Sequence, residues 1–190
     1  MSNFIFSWTM IAVLFLLPKQ EGNKGMKTED QEKIIEQLTF FCPKFGSNFS
    51  EEDRTSFVTL AEVLNAEKNT VIAHVGEVCD EFYLILEGRI RLVDEGGNEI
   101  EVGHFDPGSL VGEMSFFDKK PRSLSLKVGK RDDLVALVIS RKMYDNLCAE
   151  HQNIAINLLE FVITSLDKLV RENSKDFSNM YKHVLGVGYR

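Results

Sequence analysis

The sequence has few of the features that mark secreted, metal-binding or nucleic-acid-binding proteins. Its three cysteines are an odd number at wide spacings, which fits neither a disulfide framework nor a zinc site. None of its four histidines belongs to a His-x-His pair, the usual ligand pattern of barrel-shaped metal oxygenases. The net charge of −7 argues against binding of nucleic acid through the overall electrostatic field, which requires clustered lysine and arginine. We therefore expect an intracellular protein with no metal, no enzymatic activity and no direct contact with DNA.

The sequence also lacks a hydrophobic run long enough to span a bilayer. The apolar stretch in the N-terminal segment 1–25 covers residues 4–17, short of the roughly 20 residues that a transmembrane helix needs. It has no basic leader and no small-x-small cleavage site. Three interpretations stay open: a short anchor with the domain on the cytoplasmic side, an atypical cleaved signal, or a start of translation at Met26. We expect a cytoplasmic protein, associated with a membrane only if residues 4–17 are retained.

Apolar periodicity divides the rest of the chain into helical ends and a β-rich centre. Helical patterns cover about residues 26–38 and 51–63, and Ser50 followed by three acids is a typical N-cap of the second helix. Six short runs rich in β-branched and aromatic residues then alternate with turn residues, and Gly96-Gly97 indicates a hairpin between two of them. Short strands at regular spacing predict a sandwich or barrel. The six runs are TVIAHV, EFYLILEG, RIRLVDE, EIEVGHFD, SLSLKV and DLVALVIS.

The last third of the chain returns to a helical pattern. A short helix is predicted for RKMYDNLCAEH and a longer one for residues 156–173, while residues 174–190 form a tail too short for a further folded domain. The longer helix has two apolar stripes, of which one can pack on its own domain. The other needs a cover: a second copy of the helix, a bound ligand, or a second face of the same domain. The stripes are Leu159, Val162, Leu166 and Leu169 at 3-4-3 spacing, and Ile156, Ile163 and Val170 at intervals of seven.

Two segments on this β-rich background are informative in their order, IAHVGEVCDEFYLILEG followed by VGEMSFFDKKPRS. Together they resemble the signature of the cyclic-nucleotide-binding domain family. The family occurs in bacterial catabolite activator proteins, kinase regulatory subunits and gated channels. The first segment, IAHVGEVCDEFYLILEG, resembles the family's strand-turn-strand unit. The second, VGEMSFFDKKPRS, resembles its phosphate-binding cassette: Gly112-Glu113, a short helical turn, then Pro121-Arg122-Ser123. The resemblance implies that residues 26–173 form a mainly β fold with flanking α-helices, a double-stranded β-helix (jelly-roll) barrel preceded by helices and followed by a long C-terminal helix.

The resemblance also implies a binding site for cAMP or cGMP, with no other cofactor. A planar guanidinium can meet two oxygens of a cyclic phosphate with paired hydrogen bonds, so Arg122 is the expected phosphate ligand. Glu113 suits the ribose 2′-hydroxyl, because an ionised carboxylate only accepts hydrogen bonds. The sequence does not decide between the two bases. The expected ligand-binding residues are Gly112, Glu113, Met114, Ser115, Arg122 and Ser123, and the expected lid over the base is Leu166, Leu169 and Val170.

The cassette departs from the family pattern at Phe116, Leu124 and Lys127. Leu124 stands where the family usually has alanine, and a larger side chain beside the phosphate position would crowd the ligand. In that case Glu113 and Arg122 would pair with each other in a fold that no longer binds nucleotide.

We predict a cyclic-nucleotide sensor that acts in signal transduction. Ligand would move the C-terminal helix and change contacts with an unidentified effector protein, and the second stripe of that helix would form a homodimer. Two alternatives stay open. One is a degenerate cyclic-nucleotide-binding fold that serves as a nucleotide-independent interaction module, and the other is a transcription regulator of the catabolite activator type without its own helix-turn-helix.

Overall fold

The computed structural model describes residues 28–185, apart from residues 44, 46, 48 and 98. The apolar segment 1–25, for which the sequence leaves an anchor, a cleaved signal or a later start open, lies outside the described residues. Within the described part, none of the helices combines the length and the apolar character that crossing a membrane requires.

Two helices precede the strands: α1 (Thr28–Phe41) and α2 (Glu51–Leu60). The start of α2 is a capping box. The Asp53 amide donates to the Ser50 hydroxyl, and the Ser50 amide donates to the Asp53 carboxylate, each at 3.1 Å. The helix ends earlier than predicted, because the chain continues into a strand at Glu62.

The strands that follow are β1 (Glu62–Ala66), β2 (Val71–Ala73), β3 (Glu81–Glu87), β4 (Ile90–Asp94), β5 (Ile100–Phe105), β6 (Leu110–Val111), β7 (Ser125–Val128) and β8 (Leu134–Ser140). They form two four-stranded antiparallel sheets, one in the order β1-β8-β3-β6 and the other in the order β2-β7-β4-β5. A short helix, α3 (Glu113–Asp118), lies between β6 and β7.

The mainly β jelly-roll fold with flanking helices is confirmed, and all six predicted strands are present. The predicted barrel is not closed: among the described residues, no ladder joins the two sheets. Closure would need edge strands long enough to pair. Of the four edge strands, β6 and β2 have only two and three residues, which leaves few backbone groups for such pairing at those two edges; β1 and β5 have five and six.

Strand β3 separates two hydrophobic clusters. Its side chains alternate as the strand period of two requires, so that Phe82 and Leu84 pack with the helices while Tyr83 and Ile85 pack with the second sheet. All four side chains are buried. Because both faces of β3 are covered, the strand provides a well-packed support for α3, which contacts it.

Two helices complete the described chain: α4 (Arg141–Glu150) and α5 (Gln152–Leu185). The first part of α5 packs on the domain through Ile154, Leu158 and Val162, which are buried. The side chains of residues 171–183 are all exposed. The helix is therefore longer than predicted, and residues 174–185 of the expected tail continue it beyond the body of the domain.

Candidate functional site

Arg122 is a buried arginine in the loop between α3 and β7, with 7% of its surface exposed. Its backbone amide donates to the Glu77 carbonyl at 2.9 Å, and its carbonyl accepts from the Gly76 amide at 2.8 Å. Its side-chain Nη2 donates to the Glu81 carbonyl at 3.2 Å. The turn before β3 therefore holds the backbone of this arginine, and Glu81, the first residue of β3, holds its side chain.

The Nε atom of Arg122 is buried and has no hydrogen-bond partner among the described residues. A buried donor left without an acceptor destabilises a fold by about 1–3 kcal/mol, and more for a charged group. Native structures rarely leave such groups unsatisfied. Among the described residues, Nε of Arg141 is buried and unpaired as well, so the missing acceptor indicates a ligand site only together with a cavity beside the arginine.

Gly112, the residue before α3, lies against the guanidinium of Arg122. Its φ of 94° is in the left-handed region that side chains disfavour. A Cβ atom at this position would lie 2.6 Å from Nη1 and 2.9 Å from Nη2 of Arg122. The backbone conformation therefore favours glycine here, and a side chain at this position would displace the guanidinium of Arg122.

Glu113 begins α3 and is 6% exposed. Burial raises the pKa of its carboxyl, while a hydrogen bond from its own backbone and the positive charge of Arg122 act in the opposite direction. Among the described residues, no ion pair joins Glu113 to Arg122. The mutual pairing that the sequence left open is not formed, and both charges remain available at the site.

Ser115 closes the loop that carries Arg122. Its hydroxyl donates to the Lys120 carbonyl at 2.7 Å, and its carbonyl accepts from the Lys119 amide at 3.1 Å. Because the hydroxyl proton is already used within the chain, the backbone amide of Ser115 is the donor that it can offer to a ligand.

These residues surround a cavity of about 260 Å³. Its polar wall comes from α3 and the loop after it, and includes Glu113, Ser115, Asp118, Lys120, Arg122 and Ser123. Its apolar wall comes from the two sheets, the loop and α5, and consists of Leu92, Phe105, Val111, Leu124, Leu126 and Leu169. Leu124 thus lines the cavity without filling it.

All six predicted ligand-binding residues line this cavity. Of the three predicted lid residues, the structure brings only Leu169 to it. Leu166 packs against the helical cluster, and Val170 is 62% exposed. Three further cavity residues come from the second sheet, and no sequence pattern indicates them. Strand patterns show which side chains point inward, but not which of them share a cavity; the three residues are Leu92, Phe105 and Leu126.

Residues 63–151 match the family model described as the cyclic nucleotide-binding domain. These residues belong to that family. The match begins in β1 and ends directly after α4, so it contains both β-sheets and the whole polar wall of the cavity. The predicted family is therefore confirmed.

Solved structures of cyclic nucleotide-binding proteins share the fold. A cyclic nucleotide-binding domain from Methylobacillus flagellatus has a TM-score of 0.70 at 21% identity, over 78% of this chain and 85% of that chain. The Thermus thermophilus catabolite activator protein has a TM-score of 0.58 at 24% identity, over 73% and 63%. The regulatory domain of Toxoplasma gondii PKA, solved with cAMP, has a TM-score of 0.52 at 16% identity, over 64% and 45%.

Curated relatives include fungal lysophospholipases. The lysophospholipase NTE1 of Pyricularia oryzae is 32% identical over 116 residues, which are 60% of this chain and 8% of that protein. The NTE1 of Chaetomium globosum is 28% identical over 116 residues, 60% of this chain and 7% of that protein. The chain spans less than a tenth of the length of these relatives, so their activity is stated of those proteins alone.

Proposed function

We propose that this domain binds a cyclic nucleotide, cAMP or cGMP, and uses it as a regulatory signal. The main support is the buried Arg122 guanidinium at a cavity of about 260 Å³, with an Nε that lacks an acceptor among the described residues. A cyclic phosphate brings one negative charge and two free oxygens, which a guanidinium can bind with paired, charge-assisted hydrogen bonds. The family and the fold support a regulatory role of this kind.

The cavity suits a mononucleotide. Its volume of about 260 Å³ is close to the lower end of small-ligand pockets, which is about 300 Å³. Arg122 provides the cation for the phosphate, and the Glu113 carboxylate provides an acceptor for a ribose hydroxyl. The apolar wall would pack against the base.

Several groups must share the free energy of binding. One hydrogen bond to a charged group contributes about 1.5–3 kcal/mol, whereas micromolar binding needs roughly 8 kcal/mol. Arg122 therefore supplies only a part of the free energy of binding. The Glu113 carboxylate, the free backbone amides at the start of α3, and burial of the base against Leu124 and Leu169 supply the rest.

The proposed output of binding is a change in the position of α5. Leu169 lines the cavity, so a bound base would contact the helix directly. A ligand shifts an equilibrium only if it binds one of two states better. A base packed on Leu169 favours the state in which α5 lies over the cavity, and the exposed remainder of α5 would pass this change to an effector protein.

We also propose that two copies of α5 form a homodimer. Ile156, Ile163, Val170 and Phe177 lie at intervals of seven residues and are 57–65% exposed. Residues at this interval can form the seam of a parallel coiled coil, and the β-branched residues Ile156, Ile163 and Val170 favour two strands. A second copy of α5 has the same apolar repeat of seven residues, so the two helices can cover each other's exposed side chains.

Sedimentation velocity tests the dimer. The wild-type protein should sediment as a dimer, and the double variant Ile163→Asp, Val170→Asp as a monomer, because carboxylates in an apolar seam are unfavourable. Thr164→Asp is the matched control, since Thr164 is exposed on α5 outside the seam. A wild-type monomer at high micromolar concentration would contradict the dimer.

Thermal unfolding with and without nucleotide tests the ligand. At a ligand concentration of 100 times Kd, binding stabilises the fold by about 2.7 kcal/mol, which raises Tm by roughly 5–10 °C at this size. Arg122→Ala should remove the rise. Arg89→Ala should keep it, because Arg89 is half-exposed, pairs with Asp106 and does not line the cavity. No rise with either nucleotide at millimolar concentration would contradict the proposal and favour a nucleotide-independent interaction module.

A further inference from the structure

Arg141, the first residue of α4, does not line the cavity but contacts the helix that forms its polar wall. Its guanidinium carbon lies 3.5 Å from the centre of the Phe116 ring, and its Nη2 donates a hydrogen bond to the Phe116 carbonyl. A cation over an aromatic face holds the side chain, and the charge-assisted hydrogen bond holds the backbone. One arginine therefore fixes both parts of Phe116.

Asp80 connects the same arginine to the end of α3. The Asp80 carboxylate forms an ion pair with the Lys119 ammonium and lies 3.9 Å from Nε of Arg141. The backbone amide of Arg141 also donates to the Asp80 carbonyl at 2.8 Å. Three segments meet at this point: the turn before β3, the end of α3 and the start of α4.

Helix α3 depends on tertiary contacts for its position. It has six residues, fewer than a helix needs to be stable on its own, and left-handed residues flank it at Gly112 and Lys119. On the side away from the cavity, the buried Phe116 ring packs edge-on against Phe82 and Tyr144, with ring centres 4.8 and 5.7 Å apart. Arg141 completes the surface that holds α3 from this side.

We propose that Arg141 is a positioning residue for the ligand site: it holds α3 so that Gly112 and Glu113 keep their binding geometry before ligand arrives. This inference rests on the proposed function, because it concerns the same site. Ordering groups on binding opposes affinity, so a preorganised α3 would strengthen binding although Arg141 does not touch the ligand. The inference also explains Phe116, a departure from the family pattern, because an aliphatic side chain offers no ring to the guanidinium.

Amide hydrogen exchange of the ligand-free protein tests this role without any nucleotide. The Phe116 and Lys119 amides donate to the Gly112 and Ser115 carbonyls within and at the end of α3. Arg141→Gln should speed their exchange about tenfold, the effect of losing one charge-assisted hydrogen bond. Exchange in the β4–β5 hairpin should not change. Arg89→Gln also removes an arginine from an ion pair, and it should leave the exchange rates of the α3 amides at their wild-type values.

Calorimetric titration with cAMP and cGMP gives the second measurement. Arg141→Gln should weaken binding about tenfold, for the same loss of one charge-assisted hydrogen bond. Adding Phe116→Leu should weaken binding by less than Phe116→Leu does in the wild-type background, because the two changes share the contact between guanidinium and ring and are then non-additive. If Arg141→Gln does not fold, Arg141→Lys replaces it; lysine keeps the charge but not the planar guanidinium, and the expected direction is the same.

The outcomes separate this inference from the proposed function. Unchanged exchange at α3 in the Arg141 variant would overturn the positioning role. Equal acceleration across the whole domain would also overturn it, since it would show a general loss of stability. If the wild-type protein binds neither nucleotide, the proposed function fails, and the exchange result alone decides whether Arg141 positions α3.

Discussion

Arg91 and Arg122 are both buried, but their hydrogen bonds differ. Arg91 on β4 is 2% exposed and donates to the Val128 carbonyl and the Glu99 carboxylate, each at 3.3 Å. Arg122 is 7% exposed; within the described part of the chain its guanidinium donates only to the Glu81 carbonyl, and its Nε has no acceptor. The first arginine is satisfied by its own chain, whereas the second keeps a donor free beside a cavity. A free donor at a cavity, rather than burial alone, indicates a binding site.

The largest expected effect on nucleotide affinity comes from replacing each of the two arginines by alanine in separate variants. Arg122→Ala should weaken nucleotide binding about a hundredfold, because two charged hydrogen bonds of at least 1.5 kcal/mol each are lost. Arg91→Ala should leave affinity unchanged and lower the free energy of unfolding by about 1–3 kcal/mol, because the buried Val128 carbonyl loses its donor. Calorimetry and urea unfolding measure the two effects. A loss of affinity in Arg91→Ala with unchanged affinity in Arg122→Ala would contradict the assignment of Arg122 to the ligand and Arg91 to the fold.

Two glycine substitutions test whether the position of the Arg122 guanidinium determines the affinity for nucleotide. Gly112→Ala should lower the free energy of unfolding by about 1–2 kcal/mol through its left-handed φ, and should weaken binding about tenfold by displacing the guanidinium, a loss of roughly 1.4 kcal/mol. Gly108→Ala is the matched control: its φ is 86°, and the added Cβ would lie 2.6 Å from the Phe41 carbonyl oxygen, away from the cavity. It should lose at least as much stability and keep the wild-type affinity. Equal affinity losses in both variants would assign the effect to backbone strain.

Glu113 should make nucleotide binding depend on pH. Burial raises the pKa of its carboxyl, and only the ionised form accepts a hydrogen bond from the ribose without donating one. Affinity should therefore rise with pH through this raised pKa. Glu113→Gln should flatten the profile and weaken binding about fivefold at neutral pH, roughly one hydrogen bond. A 2′-deoxy cyclic nucleotide should bind the wild type and the variant alike, and a preference for the wild type would contradict the ribose contact.

The Glu113 carboxyl should make the stability of the fold fall with rising pH, the opposite of its effect on nucleotide affinity. A raised pKa means that the folded state binds the proton more tightly than the unfolded state. The stabilisation is fully present below the ordinary pKa of glutamate and is lost as pH rises through the raised pKa of the folded state. Relative to Glu113→Gln, the wild-type protein should therefore lose stability across this window in urea unfolding. A gain in stability with rising pH would contradict the burial of the charge.

The smallest expected effect lies at the apolar wall. Leu169→Ala should weaken binding about threefold, because a partly buried leucine loses less than 1 kcal/mol of contact with the base. Val170→Ala should leave affinity unchanged, since Val170 is 62% exposed. Calorimetry on both variants compares neighbouring residues of similar chemistry. A larger effect at Val170 than at Leu169 would place another face of α5 over the ligand.

Six of the eight strands in the described part of the chain could be predicted because each is an apolar run bounded by glycine or polar turn residues. Strand β1, EVLNA, contains two polar residues and follows a helix without a break, so its pattern continued the predicted helix. Strand β6 has only the two residues Leu110–Val111, too few for any periodicity. The extra length of α5 was missed because residues 174–185 are mostly polar and resemble a tail.

The cavity-lining residues of the cassette could be predicted because they lie in one short segment that resembles a known pattern. Arg141 and the cavity residues of the second sheet could not, since only the packing of distant segments brings them to α3. The predicted lid included both Leu169 and Val170. Successive helical residues point about 100° apart, so only one of the two can face the cavity.

The exposed part of α5 is also a lever arm. From Leu169, at the cavity, to Leu185 the helix rises about 24 Å at 1.5 Å per residue. A tilt of about 10° at Leu169 therefore moves the far end by about 4 Å along that length. Under the proposed function, a slight rotation beside the ligand would become a displacement longer than a hydrogen bond at the distal tip, where another protein could register it as a contact made or broken.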